Sequence, residues 1–104
     1  MNIRILYTLN NSKINSRGLC PIRCRVAFNK QRKEFSTGLF INPENWNSKR
    51  QLVEPPEQDI EYINTQLSLI SQKLNQAYLF LQVKGSPFDV MDIYAQYLGE
   101  TPKF

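Results

Sequence analysis

The sequence contains no histidine and only two cysteines, Cys20 and Cys24. Without histidine, neither a Ser/His/Asp triad nor a Cys/His pair can be assembled. Two thiols are also too few for a zinc site with the usual four protein ligands. If both cysteines lie on one strand, they share a face but are too far apart for a relaxed disulfide. We therefore predict two buried, reduced thiols and no metal site.

Glycine and long apolar runs are also scarce. The four glycines are isolated from one another, so no glycine-rich phosphate loop is present. No apolar run approaches the ~20 residues of a membrane helix, and the first residues lack the basic and apolar regions of a secretory signal. The carboxylates at positions 57, 59 and 61 resemble solvated charges at a helix start rather than a catalytic pair. We therefore expect a cytoplasmic, non-enzymatic protein with no cofactor, no membrane contact and no small-molecule substrate.

Charge is distributed very unevenly along the chain. Residues 1–53 contain ten Lys and Arg against two acids, for a net charge of +8. Residues 54–104 contain three Lys against seven acids, for a net charge of −4. The overall charge of +4 conceals this separation. A basic half joined to an acidic half indicates a polyanionic partner for the first half, and nucleic acid is the leading candidate.

Three β-type segments come first, and they give the basic half a predicted sheet. Residues 2–10, 19–29 and 32–41 each alternate apolar with polar side chains, which is typical of half-buried strands. The short polar connection at 29–31 predicts an antiparallel hairpin between the second and third strands. Pro21 fits a strand start or edge, and Gly38 predicts a weak point or a bulge. Asn42-Pro43-Glu44 then predicts one helical turn that carries Trp46 into the core.

The period becomes helical after Pro55-Pro56. Seven apolar residues alternate in steps of three and four, a heptad pattern: Ile60, Ile63, Leu67, Ile70, Leu74, Ala77 and Leu81. Lys84-Gly85 closes this helix, and Ser86-Pro87-Phe88-Asp89 predicts the start of a second, shorter helix that ends at Gly99. The predicted fold class is α+β, with a three-stranded antiparallel sheet packed on a long helix that a short helix follows. The predicted boundaries are 1–53 for the basic sheet, 54–85 for the long helix and 86–104 for the short helix.

The polar side of the predicted sheet is almost entirely cationic. A polar face is normal for an antiparallel sheet, but a face that collects arginines on every strand is not. A slip of one residue would bury these arginines, so the pattern fixes the register. We predict that this side binds duplex DNA, with the hairpin tip and the first loop adding charge. The candidate DNA-binding residues are Arg4, Lys13, Arg17, Arg23, Arg25, Lys30, Arg32, Lys33 and Ser36.

Two short motifs, together with the elements around them, resemble a known protein family. Ser36-Thr37-Gly38 and Pro43-Glu44-Asn45-Trp46 follow a basic β-rich segment and precede a long helix. This succession resembles the N-terminal region of phage-type tyrosine recombinases, and most closely the integrases of conjugative transposons. The resemblance covers about residues 1–85 and continues more weakly after Ser86. It implies a three-stranded sheet packed on a helix that binds arm-type DNA sites flanking the crossover site.

The same resemblance implies what the chain does not do. The family's catalytic Arg, His-x-x-Arg and nucleophilic Tyr belong to a large C-terminal domain, and this sequence does not contain that set. No catalytic role is therefore carried onto its five tyrosines, and 86–104 is expected to lead toward a core-binding domain. The expected partners are double-stranded DNA, other integrase protomers and excision or architectural factors.

Two other functions are compatible with the pattern. The heptad helix could mediate oligomerisation through Ile63, Leu67, Ile70 and Leu74, although the same residues could instead cover the sheet within one chain. An RNA-binding sheet would need exposed aromatic side chains on its polar side. The alternation places Tyr7, Phe28 and Phe35 on the apolar side, which favours duplex DNA over RNA.

Overall fold

A computed structural model describes residues 3–99 of the chain. The fold is α+β, as predicted: a three-stranded antiparallel sheet, a long helix and a shorter helix. The sheet has the order β1-β2-β3, with β1 at Arg4–Leu9, β2 at Cys20–Phe28 and β3 at Gln31–Ile41. A second, two-stranded sheet pairs β4, Trp46–Asn47, with β5, Leu52–Val53, and the helices are α1, Ile60–Lys84, and α2, Val90–Leu98.

Alternation along the three strands separates a buried side from a polar side. Cys24 and Val26 of β2 have no exposed surface, whereas the neighbouring Arg23 and Arg25 are only half-buried. The buried side packs on α1, whose Leu67 and other heptad residues complete the core. The heptad residues that are buried there are Ile63, Leu67, Leu74 and Ala77. Within one chain, the heptad stripe therefore covers the sheet.

Tyr7, which is buried in this core, links β1 to α1 through hydrogen bonds. Its hydroxyl donates to the carbonyl oxygen of Leu67 at 2.6 Å and shares a hydrogen bond with Ser71 Oγ at 2.7 Å. Burial raises the pKa of Tyr7 to about 12. Burial likewise raises the pKa of the Cys24 thiol to about 12, and both cysteines are free and buried, as predicted.

The sheet contains a bulge at the end distant from the β2–β3 turn. The pairing of β2 with β3 shifts between Pro21 and Arg23, opposite a stretch of β3 that contains Gly38. Gly38 adopts φ +80°, a conformation that favours glycine. Pro21 lies at the second position of the central strand, where the irregular pairing tolerates a residue without an N–H. The predicted roles of both residues are confirmed.

Both helices begin later than the sequence pattern predicts. The acids from position 57 suggest a helix start there, but α1 begins at Ile60 because Asp59 is left-handed, with φ 58° and no capping bond from its side chain. Glu57 instead accepts from the Asn42 N–H and from Asn45 Nδ2. For α2, the segment Ser86-Pro87-Phe88-Asp89 predicts Ser86 as the N-cap, and this is wrong, since Asp89 is the N-cap and forms a capping box with Asp92. The predicted C-caps at Gly85 and Gly99 are confirmed.

Aromatic contacts join α2 and the segment before it to the sheet. The Phe35 ring lies 4.9 Å from that of Tyr94 and 5.3 Å from that of Tyr97, and Phe28 stacks on Phe88 at 5.0 Å. The boundary at 86 remains a prediction, although α2 packs on the same core as α1. Trp46 is partly buried against that core, as expected.

The predicted strand start at residue 2 and the tail 100–104 lie outside the described residues. Within 3–99, no helix is both long and apolar enough to cross a membrane.

Candidate nucleic-acid interface

The polar side of the β1–β2–β3 sheet is hereafter called the outer face. Strand register arranges its side chains in three rows across the sheet. The rows are Arg4–Ala27–Arg32, Leu6–Arg25–Glu34 and Thr8–Arg23–Ser36. Arg25 and Arg23 occupy the middle positions of the second and third rows, and Arg4 and Arg32 occupy the two ends of the first row. The face therefore presents guanidinium groups from all three strands on one surface.

Glu34 lies among these arginines and contacts two of them. Its Oε2 accepts from Arg25 Nε at 3.0 Å, and its Oε1 lies 3.8 Å from Arg23 Nε. The side chains of Arg25 and Glu34 are 32% and 34% exposed, so solvent reaches this pair. Such a partly exposed pair adds little stability, but it restricts where the Arg25 guanidinium points. The outer face is therefore less uniformly cationic than the sequence suggests.

The row Arg4–Ala27–Arg32, which lies nearest to the β2–β3 turn, contains no carboxylate. Arg4 and Arg32 are exposed and flank the small side chain of Ala27. Within residues 3–99, no carboxylate lies within ion-pair distance of either one, and no acid of α1 or α2 pairs with an arginine of the outer face. Two flanking cations are thus available to an external anion.

The Ser36-Thr37-Gly38 motif builds the bulge at the edge of the outer face. Thr37 Oγ1 donates to the carbonyl oxygen of Ile22 at 2.8 Å and accepts from the Leu39 N–H. The Ser36 hydroxyl accepts from the Gly38 N–H at 3.2 Å. The motif therefore has a local structural role, while the exposed Ser36 hydroxyl keeps its own proton for a partner.

The two ends of the sheet carry further cations. Asn29 and Lys30 form the β2–β3 turn with positive φ at both positions, as a two-residue hairpin turn requires, and Lys30 is exposed there. At the opposite end, the β1–β2 connection holds exposed Lys13 and Arg17. Asn15 Oδ1 accepts from the Arg17 N–H at 2.9 Å, which orders this connection.

Lys33 occupies a different place from the one predicted. The sequence suggests a position at the hairpin tip beside Lys30, whereas the alternation of β3 turns Lys33 toward the helices with Phe35. Its Nζ lies 5.0 Å from the centre of the Tyr94 ring in α2, a cation–π distance. The structure therefore separates Lys33 from the arginines of the outer face.

Two exposed apolar residues were not among the candidates. Leu6 is 41% exposed and lies directly opposite Arg25, and Phe40 is 43% exposed and lies opposite Pro21. Simple alternation already placed Leu6 with Arg4, so the signal for it was present in the sequence. The bulge between Ser36 and Phe40 obscures the same signal for Phe40.

No group of three or more metal-ligating side chains that could hold an ion occurs in the described part of the chain. The candidate interface is the basic outer face of a small α+β domain. This combination is suited to binding an anionic polymer. A family model described as "Arm DNA-binding domain" matches residues 7–94. The chain therefore belongs to the arm DNA-binding domain family, whose members are non-catalytic modules typical of tyrosine recombinase N-termini. No curated protein and no solved structure matches the chain.

Proposed function

We propose that this chain binds arm-type sites on duplex DNA through the outer face, as the N-terminal part of a site-specific tyrosine recombinase. The observation that carries the proposal is the convergence of Arg4, Arg23, Arg25 and Arg32 on one surface of a domain of the arm DNA-binding family. The recombinase would catalyse integration and recombination in a distinct C-terminal domain. A conjugative transposon is the mobile element that the sequence resemblance favours, and the cytoplasm is the expected location.

The shape of the sheet supports entry into the major groove. That groove admits a two-stranded β-ribbon, and the β2–β3 hairpin carries Arg23 and Arg25 at its centre. In this arrangement Arg23, Arg25 and Arg32 reach base edges or flanking phosphates. Arg4, Lys13, Arg17 and Lys30 neutralise the backbone, and Ser36 adds a short hydrogen bond. The sequence predicts the same role for Lys33, but its position beside Tyr94 favours a structural contribution.

Salt dependence and one substitution test the proposal. About 5 phosphate contacts imply a slope of −4 to −5 for log K against log salt concentration. The Arg25→Ala variant should bind duplex DNA more weakly at low salt in a gel-shift titration. Lys73→Ala, which removes the same charge from α1, should bind nearly as the unmodified chain does. Equal affinity of the Arg25→Ala variant and the unmodified chain would exclude this face.

The main alternative is a protein-interaction module that uses the heptad stripe of α1. Because Ile63, Leu67 and Leu74 are buried against the sheet, oligomerisation through them would require α1 to leave its own core. Sedimentation of the isolated chain tests this alternative. Other integrase protomers and excision or architectural factors remain proposed partners, for which the described residues supply no specific contact.

A further inference from the structure

We infer that Glu34 is a specificity-determining residue that positions Arg25 to read a guanine; the inference rests on the proposed DNA-binding function. The single acid of the outer face lies on the edge strand β3, in the middle row Leu6–Arg25–Glu34, directly beside the central Arg25. A carboxylate there lowers the attraction of the face for phosphate. Its presence therefore needs a reason other than general affinity for DNA.

The geometry of the pair supplies that reason. Glu34 Oε2 holds Arg25 through Nε at 3.0 Å, and Oε1 lies nearest to Arg23 at its Nε. A guanidinium that is bound through Nε still presents the two Nη groups on another edge. That edge matches O6 and N7 of guanine, the commonest specific arginine contact in the major groove. Glu34 thus fixes one side of the Arg25 guanidinium, attracts that of Arg23 and leaves a reading edge available.

The charge of Glu34 acts in the same direction. Nonspecific binding comes almost entirely from phosphate contacts, and a carboxylate beside the central arginines repels phosphate. The flanking Arg4 and Arg32, which have no carboxylate partner in the described range, are left to contact the backbone. The outer face therefore divides into a central pair that reads bases and two flanks that bind phosphate.

Selection from a pool of duplexes with a randomised centre tests this division. The unmodified chain should enrich duplexes that share at least one guanine position, and one enriched duplex and its scrambled counterpart then serve as probes. In Glu34→Gln, affinity for the scrambled duplex should rise, and the ratio of the two affinities should fall by about 5- to 150-fold. Arg25→Lys should lose the same guanine preference with little change in the salt slope.

Glu61→Gln is the matched control, because it removes the same charge from an exposed position on α1. Its affinity ratio should equal that of the unmodified chain. A ratio in Glu34→Gln equal to that of Glu61→Gln would overturn the inference while leaving the proposed function intact. Failure of the unmodified chain to bind any duplex would overturn both. An NMR measurement of the Arg25 Nε–H adds a readout without DNA, since Glu34→Ala should speed its exchange with solvent if the pair forms in solution.

Discussion

At the scale of single residues, Tyr7 connects the sheet with the helix behind it. Its side chain crosses the core, and its hydroxyl reaches the backbone of α1 at Leu67 and the hydroxyl of Ser71. These hydrogen bonds have a preferred direction, whereas hydrophobic burial has none, so they help to orient the sheet on the helix. Tyr7 therefore helps to fix the position of β1 relative to α1, in addition to the pairing of β1 with β2.

Tyr7→Phe should lower the free energy of unfolding by about 1 kcal/mol, because it removes the hydroxyl and the two hydrogen bonds that it makes. The loss should depend on pH. The folded pKa of about 12 exceeds the ordinary value of 10.0, so this stabilisation is complete below pH 10 and is lost as the pH rises toward 12. Urea titrations at several pH values measure both effects.

Tyr62→Phe is the control for this variant, because Tyr62 is 60% exposed. It should leave the stability and its alkaline decline unchanged. Equal stability curves for the two variants would show that the buried hydroxyl does not contribute as described.

At the scale of elements, Gln51 protects the open edge of β1. Gln51 lies in the connection between β4 and β5 and has φ 59°. Its side-chain amide bonds both the N–H and the carbonyl of Tyr7, as the backbone of a neighbouring strand would. Gln51 Oε1 accepts from the Tyr7 N–H at 2.6 Å, while Nε2 donates to the Tyr7 carbonyl at 3.1 Å and to the Ser48 carbonyl at 2.9 Å. An edge strand with unpaired backbone groups can recruit another chain, and this side chain removes that opportunity at the middle of β1.

Gln51→Glu keeps the acceptor oxygen but abolishes the Nε2 donor, and it places a carboxylate against the Tyr7 carbonyl. Amide hydrogen exchange at Tyr7 should therefore accelerate, and stability should fall by about 1–2 kcal/mol. Gln76→Glu makes the same change at an exposed position of α1 and should leave exchange at Tyr7 unaltered. Unchanged protection of Tyr7 in Gln51→Glu would show that the edge is protected in another way.

The same elements show where sequence reasoning succeeds. Strict alternation from Cys20 to Phe28 predicts which side of β2 is buried, because a period of two has only one apolar register. The stripe on α1 is predicted for the corresponding reason at a period of 3.6. The pair of β4 with β5 was not predicted, since two residues in each strand are too few to show a period.

The errors at the candidate site have a different origin. Lys33 falls in a run of basic residues, and charge alone does not show that its side chain turns toward Tyr94. The acid at position 57 has the composition of a helix start, but its carboxylate binds a distant turn at Asn42 and Asn45. The pairing of Glu34 with Arg25 depends on which residues of β2 and β3 lie opposite each other, whereas alternation shows only which side of each strand is buried. In each case, the deciding contact is with a residue on another element.

At the scale of the whole molecule, the separation of charge along the sequence becomes a separation in space. The basic half forms the sheet, and most of the acidic half forms the helices behind it. The helical layer places its acids at helix starts, where Asp89 and Asp92 cap α2. Because no described acid of these helices pairs with an arginine of the outer face, the excess positive charge stays on that side of the molecule. Such a distribution orients the domain as it approaches DNA.

A paired neutralisation tests this two-sided distribution. Arg4→Gln with Arg32→Gln removes two cations from the flanks of the outer face, and the salt slope of duplex binding should become shallower by about 0.9 for each phosphate that the variant no longer neutralises. Lys73→Gln with Lys84→Gln removes the same charge from α1, where the ammonium groups lie over the Tyr97 and Phe80 rings. That control should lower affinity only slightly, through net charge, and should leave the slope unchanged. Fluorescence anisotropy over a range of salt concentrations measures both slopes. Equal changes in the two double variants would mean that DNA responds to the overall charge rather than to a defined face, because only a defined binding surface makes the position of a cation matter.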